Sequence, residues 1–375
     1  MKALVTGAHG FIGRNLVVRL RRAQVDVSEV DRGSTRDDLR AGVRGADVVF
    51  HLAGVNRPAP QADADAEFAA GNVGSIDALM SAIDETGARP LIVLSSSTQA
   101  AADNPYGRSK QAAEAALVAL AGDRGLAAVI YRLPGVFGKW GRPDYNSVVS
   151  TFCHRIARGQ AIEVSDPARV IELVHVDDVV GHFQRHMSAL VPTGLSRADV
   201  RPSFTISLGA LAARIQGFKT ARTTLEVADA ADPLTRRLLA TYLTYVPLAD
   251  LVYPLQQKTD ARGALAELLK SPTFGQMFVS RTHPGVTRGN HYHDLKVEKF
   301  CVLEGDAVIR FRPILGDSVT EHRVSGRDFA VVDIPPGVTH SIENVGTSEL
   351  ITLFWASEVF DPDRPDTYAN EVLGG

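Results

Sequence analysis

Short apolar runs alternating with helically spaced stretches fill the first half of the chain. KALVTG, VDVSEVD, ADVVFHLAG, PLIVLSSS and LAAVIYRL are runs of strand length, and continuous apolarity is the pattern of strands buried on both faces. Between them, FIGRNLVVRLRRA and YGRSKQAAEAALVAL carry helical spacing. Repeated strand–helix units predict a doubly wound parallel α/β sheet of Rossmann type from residue 1 to about 190. Residues 190–245 mix Pro-rich loops with two helical stretches, SLGALAARIQGFK and DPLTRRLLATYLTYV, a segment suited to covering a ligand on the sheet ends. After about Val246 the period falls to two, as in AVIRFRPI and LITLFWASEVF, with LEGD, ILGD and DIPPG between the runs. That texture predicts an all-β sandwich or barrel. The expected division is therefore 1–245 and 246–375.

Composition narrows the class. At 375 residues, two domains are the natural prior, and 45% hydrophobic with 22% charged residues is ordinary for a globular chain with real cores. A net charge of −3 gives no bulk attraction to nucleic acid or anionic lipid. No apolar run reaches the roughly eighteen residues of a membrane span. Met1 to Thr6 already has the texture of a first strand, so no signal peptide is expected. With Cys153 and Cys301 as the only cysteines, no disulfide framework is available, and the cytoplasm is the expected compartment.

Gly7, Gly10 and Gly13 follow the first strand and open the first helix. Glycines there let backbone amides approach a pyrophosphate at the positive helix end. The spacing is G-x-x-G-x-x-G. Asp31 and Arg32 end the second strand; the acid suits a ribose hydroxyl of NAD and the arginine a 2′-phosphate of NADP, so both cofactors stay open. Further on, Tyr106 and Lys110 lie four apart at a helix start and share a face, just beyond Ser95-Ser96-Ser97. An ammonium beside a phenol is expected to lower its pKa. Such a tyrosine can hand a proton to a carbonyl oxygen as hydride reaches the carbon, with a serine hydroxyl steadying that oxygen.

VTGAHGFIG, VVFHLAG, LSSS, PYGRSK, YRLPGVFG and ELVHVDDVV together resemble the extended short-chain dehydrogenase/reductase family over roughly the first 250 residues. The resemblance implies Ser97 (or Ser96), Tyr106 and Lys110 as the catalytic set. It implies Gly7, Gly10, Phe11, Ile12, Gly13, Asp31, Arg32, Leu52, Ala53 and Gly54 around the cofactor, with Tyr106 and Lys110 touching it as well. Sugar dehydratases of that family carry Asp-Glu where this chain has Thr98 and Gln99, which argues against dehydration.

Near the end, HPGVTRGNHYHDLKVEKFCVLEG sets His291 and His293 two apart, hence on one face of a strand, with Glu298 on the next run and His340 in PPGVTHSIEN. Three imidazoles and a carboxylate suit Zn²⁺, Fe²⁺, Mn²⁺ or Ni²⁺. The spacing resembles the two cupin motifs, which implies His291, His293, Glu298 and His340 as ligands in a cupin barrel. The glycine that usually precedes the second motif is replaced by Phe329, with Gly326 further back. TDARGALAELL and RGNHY also resemble dTDP-sugar 3,5-epimerases, in which the histidine at the place of His291 is a base. A metal-bound nitrogen cannot also take a proton, and the full ligand set favours the metal.

HLAGVNRP, SSSTQAAADNPYGRSK, FGKWGRPDYNSVV, GVTRGNHYHDLKVEKF and FDPDRPDTY extend the resemblance over nearly the whole chain, to the bacterial UDP-2-acetamido-2,6-β-L-arabino-hexul-4-ose reductase family. That resemblance implies an NADPH-dependent reductase (NADH the alternative) joined to a zinc-holding cupin that inverts C3 of a UDP-linked 4-keto-6-deoxy amino sugar. It implies a homodimer on the route to UDP-N-acetyl-L-fucosamine for capsule or O-antigen. Arg57, Asn72, Arg132, Lys139, Asn146 and His175, on loops after strands, are candidates for substrate or cofactor contacts. The rival expectations are an NAD-dependent UDP-sugar 4-epimerase and a non-catalytic dinucleotide sensor with a structural cupin.

Overall fold

In the computed structural model, which describes residues 1–58, 63–187, 194–251 and 253–374, successive residues of each N-terminal strand feed two different cores. Ala3, Val5, Val48, Phe50, Leu91, Val93, Val129 and Tyr131 belong to one cluster. Their neighbours Leu4, Val49, Ile92, Leu94, Ala128 and Ile130 belong to the other. The strand period of two sends alternate side chains to opposite faces, so a sheet with helices on both sides must be apolar throughout. Each fully enclosed side chain contributes about 1.5–3 kcal/mol.

The first half runs β1 (Lys2–Thr6), α1 (Phe11–Arg22), β2 (Asp26–Val30), α2 (Arg36–Val43), β3 (Val48–His51), α3 (Ala64–Phe68), α4 (Gly74–Thr86), β4 (Leu91–Ser97) and α5 (Pro105–Asp123). It continues β5 (Ala128–Leu133), β6 (Gly135–Phe137), α6 (Val148–Ala157), β7 (Val170–His175), α7 (Val176–Arg185), β8 (Leu195–Ala198), β9 (Phe204–Ser207), α8 (Leu208–Thr224) and α9 (Pro233–Leu243). The main sheet has the order β2-β1-β3-β4-β5-β8, all parallel, beside a small β6-β7-β9 sheet. Strand order reverses at β1 and β3, which leaves a crevice at their carboxyl ends. Leu16, Val17 and Leu20 of α1 pack with Val179, Val180 and Phe183 of α7 on one face. Ile76, Leu79, Met80 and Ile83 of α4 pack with Ala113 and Leu117 of α5 on the other.

The second half is antiparallel: β10 (Gln257–Asp260), β11 (Gly263–Ser271), β12 (Gly275–Thr282), β13 (Thr287–Tyr292), β14 (Glu298–Glu304), β15 (Asp306–Pro313), β16 (Thr320–Ser325), β17 (Val331–Ile334), β18 (Val338–Asn344), β19 (Leu350–Ala356) and β20 (Tyr368–Ala369). Two sheets form, β10-β11-β12-β19-β14-β17 and β16-β15-β18-β13-β20. Phe300, Val302, Ile334, Leu350 and Phe354 of the first share a core with Ala307, Ile309 and Ile342 of the second. The sheets therefore face each other with apolar residues at every second position.

The chain divides into Met1–Gln216 with Pro233–Pro247, and Gly217–Asp232 with Leu248–Gly375. A single cut at 245/246 does not describe this division. Val227 N–H donates to the Lys270 carbonyl at 2.9 Å and Lys270 N–H to the Leu225 carbonyl at 2.8 Å, which ties the segment after α8 to β11. Among the described residues no helix is long and apolar enough to cross a membrane.

Candidate active sites

The glycine loop joins β1 to α1 by close backbone contacts. Gly7 has φ +69°, and a Cβ there would lie 2.8 Å from the Ala53 nitrogen. A Cβ on Gly13 would lie 2.1 Å from the Gly7 carbonyl oxygen, so helix and loop meet only through glycine. Gly10 caps α1 without a side chain, and the first turn carries no acid. Its free N–H groups and the helix dipole favour an anion there. Phe11 and Ile12 are half-buried against the α1-side core. Leu52 N–H donates to the Thr6 carbonyl (3.1 Å) and Ala53 N–H to Thr6 Oγ1 (3.3 Å), which fixes the chain beside Gly54. Asp31 directly follows β2, its carboxylate accepting from His9 N–H (2.7 Å) and Arg32 N–H (2.7 Å); the Arg32 side chain is exposed.

At the carboxyl end of β4 the two candidate serines separate. Ser96 is buried and donates to Glu114 at 2.5 Å. Ser97 Oγ accepts from Gln99 N–H at 3.2 Å and lies near enough to the Tyr106 hydroxyl to favour its ionised form. Asn104 caps α5 by accepting from Gly107 N–H at 2.8 Å, and Pro105 starts the helix, which places Tyr106 in the first turn. The Tyr106 ring packs on Phe68, centroids 5.7 Å apart.

One expectation is corrected. Burial raises the Tyr106 pKa, and the nearby Ser97 hydroxyl offsets this only in part. The ammonium does not depress the phenol because Lys110 turns inward. Its Nζ donates to the Ser95 carbonyl at 3.4 Å and sits 3.1 Å from where a Cβ on Gly54 would be. Burial pushes the lysine down to about 8, against the pull of Glu114.

Of the substrate candidates, Arg57 donates to the Tyr145 carbonyl at 2.8 Å and lies over the Tyr145 ring, while Asn146 donates to the Asn56 carbonyl at 3.0 Å. These contacts join the loop after β3 to the loop before α6. Lys139 pairs with Asp177 at 2.5 Å, and His175 caps α7, accepting from Asp177 N–H at 3.3 Å with burial lowering its pKa. Arg132 is held instead by buried Glu114, with contacts of 2.7 to 3.2 Å. Asn72 is buried, bonded to Val55 and to Ser109 Oγ at 3.0 Å. A polar chain not foreseen from sequence continues from it: the Asn72 carbonyl accepts from Ser75 Oγ (2.9 Å), Ser75 Oγ meets His51 Nε2 (3.1 Å), and His51 Nδ1 meets Thr6 Oγ1 (2.9 Å). Its one legible signal was a histidine ending the apolar run VVFH. Glu114, four residues beyond Lys110, was legible by the same spacing that paired Tyr106 with Lys110.

In the antiparallel half, His291, His293, Glu298 and His340 converge. One potential ligand atom from each lies within 4.8 Å of all the others. β13 and β18 bring His291 opposite His340, while Glu298 arrives from the facing sheet at the start of β14. A bulge at Asn290, φ +57°, precedes His291. Tyr292 points away from the cluster and stacks on Tyr368, centroids 5.2 Å apart. Glu298 Oε2 lies 3.2 Å from His293 Nε2 and 3.4 Å from His340 Nε2. Both of those nitrogens are buried without a hydrogen-bond partner. His293 Nδ1–H donates to the Asp366 carbonyl (2.6 Å) and His340 Nδ1–H to that of Val338 (3.4 Å), which turns both Nε2 lone pairs into the cluster. Burial, then His340 and His293, push His291 down to about 4. Three imidazoles and a carboxylate whose ligand atoms converge fit a divalent transition metal. Phe329, at the usual glycine position, adopts φ +46° while remaining exposed, so the turn keeps its left-handed geometry without the glycine.

Fold and sites together define a nucleotide-cofactor α/β unit of the epimerase type followed by a β-unit of polysaccharide biosynthesis. Residues 3–191 match the NAD dependent epimerase/dehydratase family, and residues 258–368 match the polysaccharide biosynthesis C-terminal domain. The chain is 43% identical over 376 residues to the UDP-2-acetamido-2,6-beta-L-arabino-hexul-4-ose reductase of Pseudomonas aeruginosa, covering 100% of both. The capsular polysaccharide assembling protein CapF of Staphylococcus aureus superposes with a TM-score of 0.90 at 40% identity, over 99% of this chain and 100% of that one. The spore coat polysaccharide biosynthesis protein SpsL of Bacillus subtilis is 29% identical over 125 residues, 31% of this chain and 83% of that one. The chain belongs to the UDP-2-acetamido-2,6-β-L-arabino-hexul-4-ose reductase family.

Proposed function

We propose that the chain is a bifunctional nucleotide-sugar enzyme. Its antiparallel unit inverts C3 of a UDP-2-acetamido-2,6-dideoxy-hexos-4-ulose, and its α/β unit then reduces the C4 ketone with NADPH. The product lies on the route to UDP-N-acetyl-L-fucosamine for capsule or O-antigen, and the working form is a cytoplasmic homodimer. One observation carries the reading: Tyr106 and Lys110 of α5 stand at the carboxyl end of β4 with Ser97 near the phenol in one unit, and four ligand-type side chains converge in the other. The full-length likeness to the Pseudomonas reductase supports the substrate.

In the reductase unit, Gly7, Gly10 and Gly13 hold the cofactor pyrophosphate, and Leu52, Ala53 and Gly54 border it. Asp31 orients the loop through His9, and exposed Arg32 is the group suited to a 2′-phosphate. A bound nicotinamide would supply the hydride for C4. Tyr106, kept protonated by its raised pKa, donates the proton to the C4 oxygen, and Ser97 steadies that oxygen. Lys110 orients the site from beneath. Arg57, Lys139, Asn146 and His175 flank the substrate, while Arg132 acts through Glu114 by holding the end of β4. In the second unit, His291, His293, Glu298 and His340 hold the cation. A Zn²⁺ ion or another divalent metal held there would supply Lewis acidity toward a keto oxygen.

The test is an NMR time course with UDP-linked 4-keto-6-deoxy amino sugars in D₂O, with and without NADPH. Deuterium should enter C3 without NADPH, and reduction should require it as a consumed reactant. Tyr106→Phe should keep exchange and lose reduction, whereas Glu298→Gln should lose exchange. Full reduction by Tyr106→Phe would refute the assignment, and turnover with no added dinucleotide would point to a 4-epimerase.

A further inference from the structure

Residues 366–370 return over β13, which carries His291 and leads directly into His293. β20 pairs with β13 at His291 and Tyr292, Tyr368 stacks on Tyr292, and Asn370 N–H donates to the Asn290 carbonyl at 2.9 Å. Within this strap, Asp366 makes two kinds of contact. Its backbone carbonyl accepts from His293 Nδ1–H at 2.6 Å. Its carboxylate accepts from three consecutive amides beyond that histidine, those of Asp294 (2.9 Å), Leu295 (3.0 Å) and Lys296 (2.7 Å). Buried Lys296 closes the loop from the other side, donating to the Pro365 carbonyl at 3.1 Å and to Thr367 Oγ1 at 2.9 Å.

Asp366 has φ +38°, a left-handed backbone that costs a non-glycine residue about 1–2 kcal/mol. Its own side chain holds it there: the carboxylate bonds fix the residue, and the fixed backbone aims its carbonyl at the imidazole. A loop-fixing aspartate would need only the amides. Here the atom served is the second ring nitrogen of a cluster histidine, and that nitrogen decides whether Nε2 presents a lone pair.

We infer that Asp366 is the positioning residue of the metal cluster, locking His293 in the tautomer and orientation that direct Nε2 inward while pinning the 294–296 loop to the C-terminal strap. The inference rests on the metal reading above. Removing such an outer partner typically weakens metal binding about 10–100-fold.

The test uses the full-length chain stripped of metal and titrated with Zn²⁺ and with Co²⁺, whose visible ligand-field bands report ligand geometry. Asp366→Asn keeps the size and one acceptor oxygen but sets an amide against the Leu295 and Lys296 N–H groups. Asp366→Gly keeps the left-handed backbone and removes the carboxylate. Both variants should bind about 10–100-fold more weakly with altered Co²⁺ bands, and the Nδ1–H resonance of His293 should lose its protection from exchange. Should Asp366→Gly fail to fold, the near-isosteric Asp366→Asn decides the question alone. Wild-type affinity and spectrum in the folded Asp366→Asn variant would overturn the positioning role while leaving the metal site intact. Failure of the wild-type chain to bind either ion would remove both.

Discussion

Replacing Lys110 by Met separates what this lysine does for the reaction from what it does to the fold. Below pH 8 the ammonium is charged in both the folded and unfolded chain, so the native state bears the whole burial penalty. A fall from the usual 10.5 to about 8 corresponds to roughly 3 kcal/mol at about 1.4 per unit. Losing the long hydrogen bond to the Ser95 carbonyl takes back about 1 kcal/mol. Lys110→Met should therefore stabilise the α/β unit by about 2 kcal/mol near pH 7. Between 8 and 10.5 the unfolded chain binds more protons at this residue than the folded one, so wild-type stability rises with pH in that window. The advantage of the variant shrinks accordingly. Activity should move the opposite way, since kcat/KM for the 4-keto sugar should fall along an alkaline limb centred near 8 as the ammonium is lost. The phenol, raised above its usual value, does not titrate there. Urea denaturation near pH 7 and about pH 9.5, with the pH–rate profile, checks both halves. A variant less stable than wild type near pH 7, or one that keeps the limb, refutes the reasoning.

Gly13→Ala should abolish cofactor binding in a fluorescence titration with NADPH, because its Cβ would meet backbone oxygens at 2.1 and 2.8 Å and no side chain can yield. Glu298→Gln, which removes the carboxylate facing two buried imidazoles, should lower Zn²⁺ affinity in a competition assay by more than the roughly 10–100-fold typical of an outer partner. Phe329→Gly should raise the melting temperature of the β-unit by a few degrees, since relief of a left-handed conformation worth about 1–2 kcal/mol exceeds the roughly 0.5–1 kcal/mol entropic cost of glycine. Arg132→Ala should destabilise the α/β unit by about 1.5–3 kcal/mol in urea denaturation, because the buried Glu114 carboxylate would keep only Ser96 and the more distant Arg197 at 3.7 Å.

Features that depend on spacing along the chain were legible in the sequence. The two-sided strands, the glycine loop, the Tyr106–Lys110 face and the register of His291 with His293 all follow from periods of two and 3.6 residues. What depends on where a distant segment returns was not. FDPDRPDTY gives no hint that Asp366 reaches a histidine 73 residues earlier. Nothing in LEVAD reveals that it bonds to β11, so a boundary drawn where the periodicity changes left residues 217–232 on the wrong side. Side-chain direction was equally hidden. Tyr106 and Lys110 do share a face, yet the ammonium turns toward Ser95 and Gly54, and the phenol is governed by burial.

The charged groups of the two units fall into two kinds, and the difference bears on function. Arg132 and Glu114 satisfy each other through paired hydrogen bonds, with Ser96 as a third partner, so their charges are spent within the fold. An arginine so committed must give up a buried carboxylate before it can bind a substrate, which is why its place on a loop-facing strand end overstated its availability. Lys110 and the cluster imidazoles are the opposite case. The lysine is enclosed with one long hydrogen bond, and two buried Nε2 atoms have no hydrogen-bond partner. Such groups cost stability that apolar residues of the same size would not. A penalty carried at two separate places, each beside side chains able to move protons or hold a cation, is the physical ground for the two-site reading proposed above.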